Sequence, residues 1–319
     1  MSKNTSLLSS LWNYVKKPDY NISPVEKSFK EKLGDIIAYW SLGIVVAFFA
    51  AILSAALLSN VGVDDSQNIL QDFFTNSSVI VIVLIVFFVG PITEELIFRL
   101  GLRYSPYRFG FTLVFVLLLL FELLIANSAW LESVLDTVIS FLNLFLFLGM
   151  LLILIISLGF LLGYITSKCK FSKKIDSFYQ KNFSLIFYSF TLTFGAIHFF
   201  NFANFKDLWL VLPFLVAPQL FLGFILAYIR MRYSLAWAMF YHFFHNTMAA
   251  LPILLFAQIS NESFDIITSG SDSDILNITS SDKLFLATGM GTSLLVFLLI
   301  IVFFSLLIRD HRRYSKLKK

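Results

Sequence analysis

Apolar stretches of membrane-spanning length recur along the chain, separated by short polar segments. A hydrocarbon core of roughly 30 Å is crossed by about 20 apolar residues in an α-helix. The pattern therefore predicts an all-α protein, a polytopic helical membrane bundle with about eight transmembrane helices. The predicted spans are 36–58, 79–100, 109–126, 141–164, 184–204, 209–229, 235–256 and 284–308.

The same pattern divides the chain into three parts. Residues 1–35 are polar and are predicted to be a cytoplasmic N-terminal segment without a signal peptide. Residues 36–308 form the predicted membrane domain, and the basic stretch 309–319 is the predicted cytoplasmic tail.

Composition and charge support a membrane protein. Only 14% of the residues are charged, against about 25% in a soluble protein, and the mean hydropathy is +0.82. With eight spans, all 24 lysines and arginines except Lys206 and Lys283 fall on the side of the termini. By the positive-inside rule, both termini are then cytoplasmic and the protein lies in the cell membrane. This distribution explains the net charge of +4 without a nucleic-acid partner. The single Cys169 excludes an internal disulfide.

Charged residues stand where the second span ends, in PITEELIFRL (91–100). Such residues at membrane depth are costly and mark functional sites by default. Glu95 and Arg99 are four residues apart and can pair on one helix face, whereas Glu94 is rotated away by about 100°. We expect Gly90-Pro91 to break or kink the span, so that a short helix begins at Ile92.

Two further spans carry polar side chains. His198 lies in the aromatic run FTLTFGAIHFFNFANF (190–205), four residues after Phe194. His242 and Asn246 share a face of span 235–256, with His245 near that face. Packing or interhelical hydrogen bonding would explain one or two of these residues, but three within one and a half turns favour a site.

In chain order the motifs are E-E-x-x-x-R (Glu94, Glu95, Arg99), F-x-x-x-H (Phe194, His198) and H-x-x-x-N (His242, Asn246). This set resembles the CPBP family, also called ABI or type II CAAX prenyl proteases, which are intramembrane proteases. The resemblance covers residues 79–256. The gap between the first two motifs is longer than is usual in the family, and we interpret 109–164 as an inserted helical hairpin.

The resemblance implies an endopeptidase that hydrolyses a membrane-associated or lipidated protein or peptide. Glu94 would act as general base on a water, assisted by His198, while His242 and Asn246 would bind the oxyanion. Glu95 and Arg99 would hold the helix, with Phe194 and His245 in support. The active site would face the cytoplasm. Peptide hydrolysis needs a base, a water and oxyanion donors, and no serine or cysteine nucleophile is required.

Two alternatives stay open at this point. In the first, Glu94, His198 and His242 bind zinc and leave a position for water, although no HExxH motif is present; otherwise no cofactor is expected. In the second, the same buried groups serve a transporter, a proton path or a catalytically silent scaffold. The sequence shows no repeated halves, which disfavours a transporter.

Overall fold

The computed structural model describes residues 6–61, 77–125, 133, 144–169, 171–201, 211–259 and 278–316. These residues contain helices and no strand, which confirms the all-α class. The α-helices are α1 Leu7–Lys16, α2 Phe29–Val61, α3 Val79–Ile82, α4 Gly90–Phe98, α5 Pro106–Ile125, α6 Leu144–Lys168, α7 Ser172–Lys181, α8 Phe183–Ile197, α9 Leu212–Leu215, α10 Ala217–Arg232, α11 Leu235–Ala257 and α12 Ser280–Lys316. A π-helix covers Val83–Val89, and 3-10 turns cover Leu100–Leu102 and His198–Asn201.

Within the described residues, five stretches are long and apolar enough to cross a bilayer. They correspond to the predicted first, second, fourth, fifth and eighth spans, and α5 is a shorter apolar helix. The helix of the first predicted span, α2, begins at Phe29 rather than at 36. The helix of the last predicted span, α12, continues to Lys316. The five stretches are Phe29–Leu53, Val79–Leu102, Gly149–Lys168, Phe183–Asn201 and Ser280–Arg313.

The described part of the predicted span 209–229 is helical but interrupted. The structure has two helices there, α9 and α10, separated at Val216. Pro218 follows in the first turn of α10. Since proline has no backbone N–H and disfavours helical geometry before it, the first turn of a helix is a favourable position for it.

The described residues belong to two compact units. The first comprises Met1–Lys17, Pro24–Ile92 and Thr191–Lys319, and the second comprises Pro18–Ser23 and Thr93–Phe190.

In the first unit, α2, α10, α11 and α12 pack against one another, and the π-helix packs on α11. The N-terminal helix α1, which hydropathy alone did not predict, lies against α10 and α12. Its Ser10 hydroxyl is 2.8 Å from the Tyr228 hydroxyl, and the Leu7 N–H donates to the Asp310 carboxylate at 3.0 Å. Helix α1 is therefore part of the fold of this unit.

In the second unit, α5 and α6 pack closely because glycines face the contact. A Cβ atom added at Gly110 would lie 2.5 Å from the backbone nitrogen of Gly163, so neither helix could approach as closely with a larger residue. Tyr104 contacts α7 in this unit. Its ring centroid is 5.4 Å from that of Tyr179, and its hydroxyl is 2.8 Å from that of Ser172.

Candidate active site

The helix that carries the glutamates follows a change of helix type. The Gly90 N–H donates to the Ile85 carbonyl, five residues back, and α4 begins at Gly90. The backbone is therefore helical through Gly90-Pro91, and a change from π-helix to α-helix takes the place of the predicted break; α4 starts at Gly90 rather than at Ile92. A Cβ at Gly90 would lie 3.0 Å from the Ile85 carbonyl oxygen, so glycine permits this tight π register.

Glu95 and Arg99 form the predicted ion pair in the second unit. The Glu95 Oε1 and Arg99 Nη1 atoms are 3.5 Å apart, and both side chains are at most 1% exposed. Glu94, on the adjacent position of α4, is half-buried. The two neighbouring residues thus differ in environment: Glu95 is enclosed with a guanidinium, whereas Glu94 is half-buried as a residue, with its Oε2 atom buried.

His198 stands at the end of α8, in the first unit, where the helix tightens into a 3-10 turn. Its Nδ1 is 2.7 Å from the Phe194 carbonyl oxygen. A carbonyl oxygen only accepts, so Nδ1 carries the proton of this hydrogen bond. In the neutral ring, the basic lone pair is then on Nε2.

The two predicted site histidines, His198 and His242, both contact the ring of Phe194. Its ring centroid lies 5.0 Å from that of His198 and 5.9 Å from that of His242, both in edge geometry. Phe194 is fully buried, and His242 is 2% exposed. The structure therefore brings together Phe194, His198 and His242, from α8 and α11, around a buried aromatic contact.

Two glycines that the sequence reasoning missed let α8 and α10 approach each other. A Cβ at Gly195 would overlap the side chain of Leu220, and a Cβ at Gly223 would lie 3.0 Å from the Phe194 ring. Small residues at helix contacts are the usual device for close approach in membranes. The glycine next to Phe194 in the aromatic run was the available signal.

Asn246 and His245 face other partners in the first unit. The Asn246 side-chain amide donates to the Val86 carbonyl, in the π-helix, at 3.0 Å. The His245 ring stacks on that of Tyr241, with centroids 6.2 Å apart. His245 Nδ1 is buried and has no hydrogen-bond partner among the described residues. The amide has two N–H donors, of which Val86 takes one.

In the described part of the chain, no three His, Cys, Asp or Glu side chains are grouped so as to hold a metal ion. The zinc alternative for Glu94, His198 and His242 stays a prediction.

Comparison of the chain with protein-family models, with curated proteins and with solved structures finds no match. The resemblance to the CPBP family therefore rests on the motif residues themselves.

Proposed function

We propose that this protein is an intramembrane endopeptidase of the CPBP type. In the proposal it has eight spans, lies in the cell membrane with both termini in the cytoplasm, and opens its active site toward the cytoplasm. Its substrate is a membrane-associated or lipidated protein or peptide, and the bilayer is its other partner. The motif order and the lysine and arginine distribution support this arrangement.

In the proposed reaction, the Glu94 carboxylate takes a proton from a water while the water oxygen attacks the scissile carbonyl carbon. The resulting tetrahedral oxyanion accepts hydrogen bonds from His242 and from the second N–H of Asn246. Donors that are already in place for such an oxyanion lower the barrier by about 2.7–4 kcal/mol each. The proton then passes to the leaving amine as the C–N bond breaks, which balances the hydrolysis.

The observation that carries the proposal is the contact of both histidines with Phe194. His198 and His242 are 44 positions apart, and the three-motif resemblance predicts that they act together. The hydrogen bond from His198 Nδ1 to the Phe194 carbonyl also agrees with an assisting role. It directs the basic Nε2 away from its own helix backbone, where it can accept a proton.

The proposal assigns different work to the two neighbouring glutamates. Glu95, enclosed with Arg99, holds α4 in place, and the half-buried Glu94 performs the chemistry. A base must reach a water, and enclosure with a guanidinium would prevent this for Glu95.

The test uses these neighbours as a matched pair. Glu94→Gln should abolish peptide cleavage and leave the melting temperature of the purified protein unchanged, since the amide keeps the shape and loses the basic oxygen. Glu95→Gln should lower the melting temperature by breaking the buried ion pair. Cleavage that persists in Glu94→Gln at the wild-type rate would overturn the mechanism.

The substrate can be found by comparing membrane peptides from cells that express the wild-type chain with those from cells that express Glu94→Gln. Peptides or protein tails that stay uncleaved only in the variant are the candidates. Metal analysis of the purified, active protein, with chelator treatment, separates this mechanism from the zinc alternative. Stoichiometric zinc whose removal stops cleavage would replace the glutamate-only mechanism.

A further inference from the structure

Pro91 interrupts the series of backbone hydrogen bonds at the end of the π-helix. In this register each N–H donates five residues back, as Gly90 does to Ile85. The next N–H in the series would be that of residue 91, and its acceptor would be the carbonyl of Val86. Residue 91 is proline, which has no N–H.

The side chain of Asn246 provides that missing donor. Its Nδ2 lies 3.0 Å from the Val86 carbonyl oxygen, although the two residues are 160 positions apart in the chain. The contact joins the middle of α11 to the last turn of the π-helix. It replaces a hydrogen bond of the helix ladder by one between helices.

The contact between Asn246 and Val86 lies in apolar surroundings. Ile82, Phe87 and Leu254 are buried at the same seam, with Val83, Val86, Phe243, Ala250 and Leu251 packed against them. The rings of Phe88 and Phe243 are 5.0 Å apart. In such apolar surroundings a carbonyl without a donor is costly, because no water is present to donate a hydrogen bond in its place.

We propose that Asn246 is a positioning residue: it supplies the donor that Pro91 lacks, and thereby fixes how α4 leaves the π-helix. The helix α4 begins at this transition and continues from Gly90 to Phe98, a range that includes Glu94. The effect on cleavage rests on the proposed function, whereas the hydrogen-bond exchange does not.

The test is a double-mutant cycle between Asn246→Leu and Pro91→Ala. Asn246→Leu removes the donor, and we expect the melting temperature in detergent to fall by about 5 °C. Pro91→Ala returns a backbone N–H to the position that faces Val86 in the π register. In the Pro91→Ala background, Asn246→Leu should therefore lower the melting temperature by less than half as much.

Thr247→Val is the matched control. Thr247 follows Asn246 on α11, and its buried hydroxyl has no hydrogen-bond partner among the described residues. Its substitution by an isosteric apolar residue should leave the melting temperature near that of the wild type. If Asn246→Leu is equally harmless, or is equally harmful with proline and with alanine at position 91, the inference is wrong.

Cleavage kinetics of the same variants separate a positioning role of Asn246 from a role in binding the oxyanion. If Asn246 acts through α4, Pro91→Ala should raise the kcat of Asn246→Leu at least tenfold, with little change in KM. If kcat stays at the level of Asn246→Leu although the melting temperature recovers, the positioning role in catalysis is overturned. Absence of cleavage by the wild-type protein would instead overturn the proposed function, and the melting cycle would still decide the hydrogen-bond exchange.

Discussion

Two ion pairs among the described residues, Lys27 with Asp35 and Glu95 with Arg99, differ in both separation and exposure. Lys27 Nζ and Asp35 Oδ2 in the first unit are 2.6 Å apart, whereas Glu95 and Arg99 in the second unit are 3.5 Å apart. The closer pair is the more accessible one, with the Lys27 side chain 37% exposed. Both side chains of the longer pair are enclosed.

Environment, rather than separation, decides what each pair contributes. An accessible pair is screened by water and salt and contributes about 0–1 kcal/mol. An enclosed pair is expensive to bury, and removal of one partner leaves the other charge without compensation. We therefore expect the longer pair to be the more sensitive to substitution.

The largest effect is expected for Arg99→Met. The substitution leaves the buried Glu95 carboxylate without its guanidinium, and the free energy of unfolding should fall by about 3–5 kcal/mol. Denaturant unfolding of the purified protein in detergent micelles, followed by circular dichroism, measures this loss.

The control for Arg99→Met is the double variant Glu95→Leu with Arg99→Met. Removal of both charges should recover most of the lost stability, since a well-packed apolar pair often replaces a buried ion pair at no cost. A double variant as unstable as the sum of the two single variants would show that the pairing itself matters little.

A smaller effect is expected for Asp35→Ala at the accessible pair. Asp35 accepts a hydrogen bond from the Tyr233 hydroxyl at 2.7 Å as well as from Lys27. Its removal leaves a largely buried hydroxyl without this acceptor, which should cost about 1–3 kcal/mol in unfolding free energy. Lys27→Met, measured by the same unfolding experiment, should cost only about 0–1 kcal/mol. Equal losses in the two variants would contradict the dominance of the tyrosine hydrogen bond.

The local features of the fold could be predicted from the sequence. Hydropathy over about 20 residues marks the helices that are long and apolar enough to cross a bilayer, because burial in lipid depends on the composition of each segment alone. Arg99 lies four residues after Glu95, and the helix repeat alone brings these side chains together. Gly90-Pro91 marks the change from the π-helix to α4, but the predicted break is not what the structure has, because the backbone there stays helical.

Features that depend on distant segments could not be predicted in this way. Helix α1 is too short and too polar to stand out by hydropathy, and it is held by contacts such as that of Ser10 with Tyr228. The π register of Val83–Val89 leaves no trace in the pattern of apolar residues, because every position there is apolar. The partner of Asn246 could only be found once α11 was placed beside that π-helix.

The smallest expected effect is on the pH dependence of stability, through the Tyr233 hydroxyl that donates to Asp35. Burial, and next the nearby Asp35 charge, raise the pKa of Tyr233 well above its ordinary value of 10.0. The folded protein therefore keeps the Tyr233 proton where the unfolded chain, with a tyrosine pKa of about 10, begins to lose it. The stability that this group contributes is complete below pH 10 and decreases as the pH rises above it.

At pH 11 this loss should reach about 1 kcal/mol in the wild type, since one pH unit corresponds to about 1.4 kcal/mol per proton. Tyr233→Phe has no proton to lose, so its free energy of unfolding should fall less steeply between pH 9 and pH 11 than that of the wild type. The difference in slope, obtained from denaturant unfolding at several pH values, isolates Tyr233 from the other tyrosines. Identical slopes would mean that water reaches the Tyr233 hydroxyl in the folded protein. The hydrogen bond between Tyr233 and Asp35 would then be as accessible to solvent as Lys27 is.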